Sequence, residues 1–368
     1  MGSTSGVNKY PVATVSSQNA NSPWTFRYVF TETYNNPMLV FFARYINNLF
    51  VVGGTSSNGG WYAFSPDGIT WTKYDAGSAG AMGTALAAAF PIRDVVWNGS
   101  NYFFITGTAT NQIWKTSDLN TAPSISGISQ PFGANQGVDL IYNSTTGLMV
   151  ATSNNYQIAT STDGLTWTLR TLTGGSAIVR VTYDRGLALY YATSTASTTN
   201  DVHTSTDGFT WTGRGVQGLG WRPVGGNGIV YFINSGSLIA NSTAATLYNV
   251  SAGSQSVQVA ASSAATVIKD AAYSSAIDTT FVCLYNQTSN YLNAPGALAA
   301  LPAATNSSKN LTSSTITANG TIAPNLIIPM PIAPSNNTPS PTGSAVCNGS
   351  TLLFASYGGW IYTAPWGS

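Results

Sequence analysis

The phrase Ser-Pro-Asp-Gly-Ile-Thr-Trp-Thr at residues 65–72 returns as Ser-Thr-Asp-Gly-Leu-Thr-Trp-Thr at 161–168 and as Ser-Thr-Asp-Gly-Phe-Thr-Trp-Thr at 205–212. Each Asp-Gly pair lies between two β-prone runs. Gly takes positive φ without a steric penalty and Asp bonds its own backbone, so each copy predicts a strand, a tight turn and a strand. A degenerate copy at residues 116–121 keeps Asp118 and loses the Gly and the Trp. The turn aspartates Asp67, Asp118, Asp163 and Asp207 then stand 51, 45 and 44 residues apart, a period that fits one four-stranded sheet per repeat.

The phrase resembles the Asp-box, or bacterial neuraminidase repeat, one residue shorter before the Gly than the commonest form. In the sialidase-like families that carry it, the motif marks blades of β-propellers. The resemblance implies that the box residues Asp67, Trp71, Asp118, Asp163, Trp167, Asp207 and Trp211 hold hairpins and pack between blades, away from any active site. Elementary chemistry agrees, because a turn Asp satisfies backbone amides and a Trp supplies apolar area to a seam.

Upstream of each box stand two more strand-like runs. The first unit reads as Phe41 to Tyr45, Leu49 to Val52, Trp61 to Phe64 and Thr70 to Tyr74, and three further units follow the same plan to Arg214. A fifth is aligned on Ser237 to Ala244, and a sixth on Ile268 to Tyr273, Thr280 to Leu284 and Asn290 to Leu292. The seventh, Gly343 to Cys347, Leu352 to Ala355 and Trp360 to Thr363, lacks its last strand. Ser22 to Tyr28 carries a Trp-Thr with no box before it, so it is expected to complete that blade.

The expected fold is therefore an all-β propeller of seven four-stranded blades closed by residues 22–30, with six blades open because the sixth unit is the weakest. Residues 1–21 read as an N-terminal arm, 22–368 as a single domain, and 304–342 as a Pro-, Ser-, Thr- and Asn-rich insertion suited to a surface arm.

Composition narrows the function classes. Only 7% of the 368 residues are charged and the net charge is +1, so the clustered Lys and Arg that recruit nucleic acid or an anionic membrane are lacking. Aromatics at 12% argue against disorder. The longest apolar candidate, Leu326 to Pro334, is too short and too Pro-broken to span a bilayer, and the polar Met1 to Pro23 does not read as a secretory signal. Cys283 and Cys347 sit in strand-like runs and read as buried thiols rather than a bridge, and lone His203 suggests neither a metal cluster nor a catalytic base. No cofactor or metal is expected.

The turn joining strands three and four of a meander lies opposite the crossovers between blades, and the crossovers are the long segments here, Asp75 to Pro91 among them. Function on scaffolds concentrates on such loops. Charges gather near the starts of the first strands, close to that face: Arg93, Asp94, Asp139, Arg180, Arg222, Lys269 and Asp270. Trp61, Arg93, Asp94, Asp139, Arg180 and Arg222 are the candidate binding residues.

Sialidase chemistry fits poorly. Pro91-Ile-Arg-Asp94 is not the Phe/Tyr-Arg-Ile-Pro motif of that family, and Glu32 is the single glutamate. The expected function is non-enzymatic: a virion structural or adhesion propeller of phage-tail or capsid-surface type, by compositional resemblance, holding a host-surface glycan or a neighbouring virion protein. The alternative is a secreted glycan-binding module or glycosidase.

Overall fold

The computed structural model describes residues 24–30, 38–88, 91–110, 112–121, 130–172, 179–194, 202–213, 222–226, 230–234, 237–241, 266–277, 279–286, 297–302, 326–329, 343–356 and 358–366. The chain opens with β1 (Thr25–Val29). It continues through β2 (Leu39–Ile46), β3 (Leu49–Thr55), β4 (Gly60–Ser65) and β5 (Thr72–Tyr74), then helix α1 (Gly80–Ala88). Next come β6 (Ile92–Trp97), β7 (Tyr102–Thr106) and β8 (Ile113–Thr116), followed by β9 (Gly137–Asn143), β10 (Leu148–Ser153), β11 (Gln157–Ser161) and β12 (Thr168–Thr171). The fourth group is β13 (Val179–Asp184), β14 (Leu189–Ser194), β15 (Val202–Ser205) and β16 (Thr212–Gly213), and the fifth β17 (Arg222–Gly225), β18 (Val230–Asn234) and β19 (Ser237–Asn241). Last are β20 (Thr266–Ser274), β21 (Thr279–Asn286), β22 (Ala297–Pro302) and β23 (Leu326–Pro329), then β24 (Gly343–Cys347), β25 (Thr351–Ser356) and β26 (Trp360–Pro365).

Among the described residues these strands form seven antiparallel sheets, each a meander in chain order. The one strand out of order is β1, which pairs antiparallel with β26 from Thr25↔Thr363 to Val29↔Trp360. The first strands of successive sheets lie against one another, and β24 of the last sheet lies against β2 of the first.

The core sits in the seams between sheets. Phe50, Val52, Trp61 and Trp71 of the first sheet meet Val346, Leu353 and Ile361 of the last. Phe103 and Ile105 meet Leu140, Met149 and Ala151 across the next seam but one, with Trp167 packed against them. Second strands are consequently buried on both faces, and β7 (Tyr-Phe-Phe-Ile-Thr) and β10 (Leu-Met-Val-Ala-Thr-Ser) read as continuous runs rather than alternations. Asn47 and Asn48, both at positive φ, make the two-residue turn from β2 to β3.

Three sequence expectations need correction. The crossover after β5 contains α1, whose Met82, Ala85 and Leu86 are buried in the seam between the first two sheets. Its Ala-rich composition favours helix, and Gly83 allows close packing, since an added Cβ would lie 1.9 Å from the Ser78 carbonyl oxygen. The strand paired with β21 in the sixth sheet is β22 at Ala297–Pro302; Asn290 to Leu292, expected as its third strand, lies outside the described residues. The outer strand of that sheet, β23, comes from inside the segment read as an insertion: its Leu-Ile-Ile run pairs with Leu298 to Ala300. Apolar β-branched content carries the strand, whose last residue is Pro329.

Candidate functional site

The boxes are built alike. In the first, Ser65 Oγ donates to Asp67 Oδ1 (2.9 Å), the Gly68 amide donates to Ser65 Oγ (2.8 Å), and the Ile69 and Thr70 amides both donate to Asp67 Oδ1 (2.8 Å each). The Trp71 indole closes the unit on the Gly68 carbonyl at 3.2 Å. The same bonds recur around Asp163 and Asp207. Amide donation from Thr166 and Leu165 holds the Asp163 carboxyl down at about 2. Asp67 and Asp207 shift the same way; at Asp207 the Thr210 amide leads, and at Asp67 the Thr70 and Ile69 amides outweigh an opposing desolvation. At the degenerate copy, Thr116 Oγ1 donates to the Asp118 carbonyl and Asp118 Oδ1 accepts from Asn120, so the turn survives without its Gly.

The first strands enclose a cavity of about 360 Å³. It runs from mid-strand, at Asp94 and Asp139, to the strand ends at Ile46, Trp97 and Asn143 and the turn residues Ser144, Arg185 and Ser275. In a meander, turns from strand one to two share a face with turns from three to four, so this cavity lies toward the box side, opposite the long crossovers.

Its inner wall carries an ion pair. Arg44 Nη2 donates to Asp94 Oδ2 at 2.5 Å, joining β2 to β6, with side-chain exposures of 24% and 2%. Asp94 Oδ1 accepts from the Val95 amide (2.8 Å). Asp139 is buried at 4% exposure, and its Oδ2 accepts from the Val181 amide of the neighbouring sheet (3.2 Å). At the other end the exposed Arg185 ties three sheets together, donating to Tyr273 Oη (2.9 Å) and to the Gly226 carbonyl (3.4 Å). Half-buried Trp97, Tyr142, Tyr183 and Tyr273 supply aromatic lining.

Of the candidate residues, Asp94 and Asp139 therefore meet on one cavity. Arg93 and Arg180 lie outside its lining. Arg93 stands 5.1 Å over the Phe41 ring, placed there by a bulge between Ile92 and Asp94, and Arg180 Nη1 donates to the Val138 carbonyl (3.4 Å). Trp61 offers no ring face to a ligand: it is fully buried, and its indole N–H is shared between the Leu39 and Thr55 carbonyls. Arg222 begins β17, but its side chain lies outside the described residues, as does that of Cys283. Cys347 is a buried free thiol whose pKa is raised by desolvation.

Sequence reading missed Arg44, Arg185 and the aromatic lining. A signal for the aromatics was present. Trp97, Tyr142 and Tyr183 each pair through Tyr102, Met149 and Tyr190 to the Ser or Thr that opens the box, at Thr116, Ser161 and Ser205. One aromatic in each of these three units thus falls at the same register near the channel.

Meander sheets around a lined channel define an all-β propeller. The chain is similar in structure to virginiamycin B lyase from Staphylococcus aureus, in its selenomethionine form, with a TM-score of 0.59 and 12% identity over 93% of this chain and 99% of that one. A catalytically inactive variant of that lyase with quinupristin gives 0.53 at 12% identity, over 93% and 99% of the two chains. The WD40 β-propeller domain of Doa1 gives 0.54 at 9% identity, over 92% and 96%. Likenesses at such identities carry the fold alone. No family model matches the chain, and no curated protein matches it.

Proposed function

We propose that the protein is a seven-bladed Asp-box propeller, closed by β1, that recognises its target without cleaving it. Closure is supported by the β1–β26 pairing and by the contact of β24 with β2. The absence of turnover rests on the carboxylates. Glycoside hydrolysis by the common routes uses two placed carboxyl groups, one free to pass a proton and the other to act as nucleophile or base. Asp94 is spent on Arg44 and the Val95 amide, which leaves Asp139 as the single carboxylate of the cavity wall with an oxygen outside the frame.

The target we propose is a host-surface glycan or a neighbouring virion protein. A chain with 7% charged residues and abundant Ser, Thr, Asn and Gly offers hydroxyls, amides and aromatic faces in place of fields, which suits a neutral ligand and a particle-borne protein. Multiple copies on one particle would raise apparent affinity by ~10²–10⁴. The alternative is a secreted glycan-binding module or glycosidase, and the lyase neighbour shows that this fold can carry an enzyme. A glycan array at low and moderate salt, with a panel of fluorogenic glycosides, separates the readings. Salt-independent binding without turnover is expected; turnover abolished by Asp94→Asn would overturn the non-enzymatic reading.

A further inference from the structure

The lone cavity carboxylate has a geometry of its own. Asp139 is buried at 4% exposure, and its Oδ2 is taken by the Val181 amide. Among the described residues, Oδ1 receives no hydrogen bond, yet Asp139 lines the cavity. A buried carboxylate with a vacant oxygen is costly unless a donor reaches it, and a cationic donor offsets that cost best.

The surrounding charges favour a cation. At the inner end the arginine of the lining, Arg44, is paired with Asp94 rather than with Asp139. Arg180 bonds the Val138 carbonyl outside the lining, and Arg185 is exposed at the mouth, held by Tyr273 Oη and the Gly226 carbonyl, where solvent and salt screen it. Trp97 and Tyr183, which pack against Tyr102 and Tyr190, stand in the lining with Tyr142 and Tyr273, and aromatic rings attract ammonium groups. A cavity of about 360 Å³ fits a compact body.

We propose that this cavity binds a compact primary amine, whose ammonium N–H donates to Asp139 Oδ1 while its body packs among Tyr142, Tyr183 and Trp97. This site lies toward the box face, in the cavity whose carboxylates also bear on the absence of cleavage, and amine binding there does not require that the protein bind a glycan.

Titration calorimetry on the full chain with benzylamine and benzyl alcohol tests it, because the two probes share a shape and differ in charge. Benzylamine is expected to bind saturably with one site per chain, and benzyl alcohol at least ~10-fold more weakly. Asp139→Asn keeps the size and an acceptor for the Val181 amide, and should bring benzylamine down to the level of the alcohol. Equal binding of the two probes, no saturable benzylamine binding, or an Asp139→Asn protein that binds benzylamine as the wild type does would each overturn the proposal. Should the variant fail to fold, the probe pair on the wild-type protein still decides. Glycan-array binding retained by Asp139→Asn would mark the two sites as separate.

Discussion

Gly164 lies against Phe103 so closely that a Cβ added to it would stand 2.2 Å from the ring carbon Cε1. Gly164 belongs to a box of the third sheet and Phe103 to β7 of the second, so the turn of one sheet is set into the body of the sheet before it. Gly208 meets Leu148 in the same way, with a Cβ at 2.5 Å, and Gly68 meets Thr363 of the last sheet at 3.2 Å. The box Gly thus does two things, taking positive φ and removing a side chain from a seam. Gly164→Ala should cost about 2–5 kcal/mol, the sum of a left-handed backbone term and overpacking. Gly147→Ala is the control: its φ is +71° but nothing lies within 4 Å, so only the backbone term of about 1–2 kcal/mol applies. Equal losses in urea unfolding would show that the Phe103 contact contributes nothing.

Asp163 makes its turn pH-dependent. Its folded pKa, about 2, lies below the ordinary 3.8, so the carboxylate stabilises the fold above the unfolded value and loses that contribution as pH falls from 3.8 toward 2. The side chain is exposed, and solvent screening keeps the effect below the full value of the shift. Asp163→Ala should lose about 1–3 kcal/mol at neutral pH by leaving the Leu165 and Thr166 amides without their acceptor. The gap between variant and wild type should narrow in acid. A gap constant from pH 7 to pH 2 would assign the loss to something other than the charged acceptor.

The boxes made the hairpins legible because their chemistry is local: Ser65, Asp67 and Gly68 satisfy one another within four residues. The β24, β25 and β26 runs were legible for a related reason, as short apolar segments between polar turns. Two kinds of feature were not. β23 finds its partner β22 across residues 303–325, a pairing that no local pattern encodes. The cavity depends on cross-sheet contacts such as Arg44 with Asp94, 50 residues apart, whose partners are fixed only when the first strands are brought side by side. Charge at strand starts drew attention to Arg93 and Arg180, but a bulge and a backbone carbonyl took them elsewhere.

Trp24 tests the terminal pairing. It is 1% exposed and packs with Phe354, Leu352 and Tyr362 of the last sheet, its ring centroid 6.1 Å from that of Phe354. Trp24→Ala should cost about 3–5 kcal/mol through lost burial and a residual cavity. Deleting residues 1–30 removes β1 as well and exposes the edge of β26, which should bring oligomerisation or aggregation along with a lower Tm. A truncated protein that stays monomeric at an unchanged Tm would sink the closure model.

The Arg44–Asp94 pair separates a frame role from a chemical one through an asymmetry of burial. Asp94 is almost wholly enclosed, whereas the Arg44 side chain keeps 24% exposure at the cavity. Arg44→Met takes the guanidinium from a buried carboxylate that also accepts from the Val95 amide, and should cost about 3–5 kcal/mol. Asp94→Asn leaves a guanidinium that can turn to water in the cavity, so its cost should be smaller. Replacing both, as Arg44→Met with Asp94→Leu, removes the charge and its partner together and should recover most of the Arg44→Met loss. The double-mutant cycle of wild type, Arg44→Met, Asp94→Leu and the double variant is read by urea unfolding of all four proteins. Additive losses would mean that the two groups do not sense each other, and Asp94 would then stand free to act on a bound ligand.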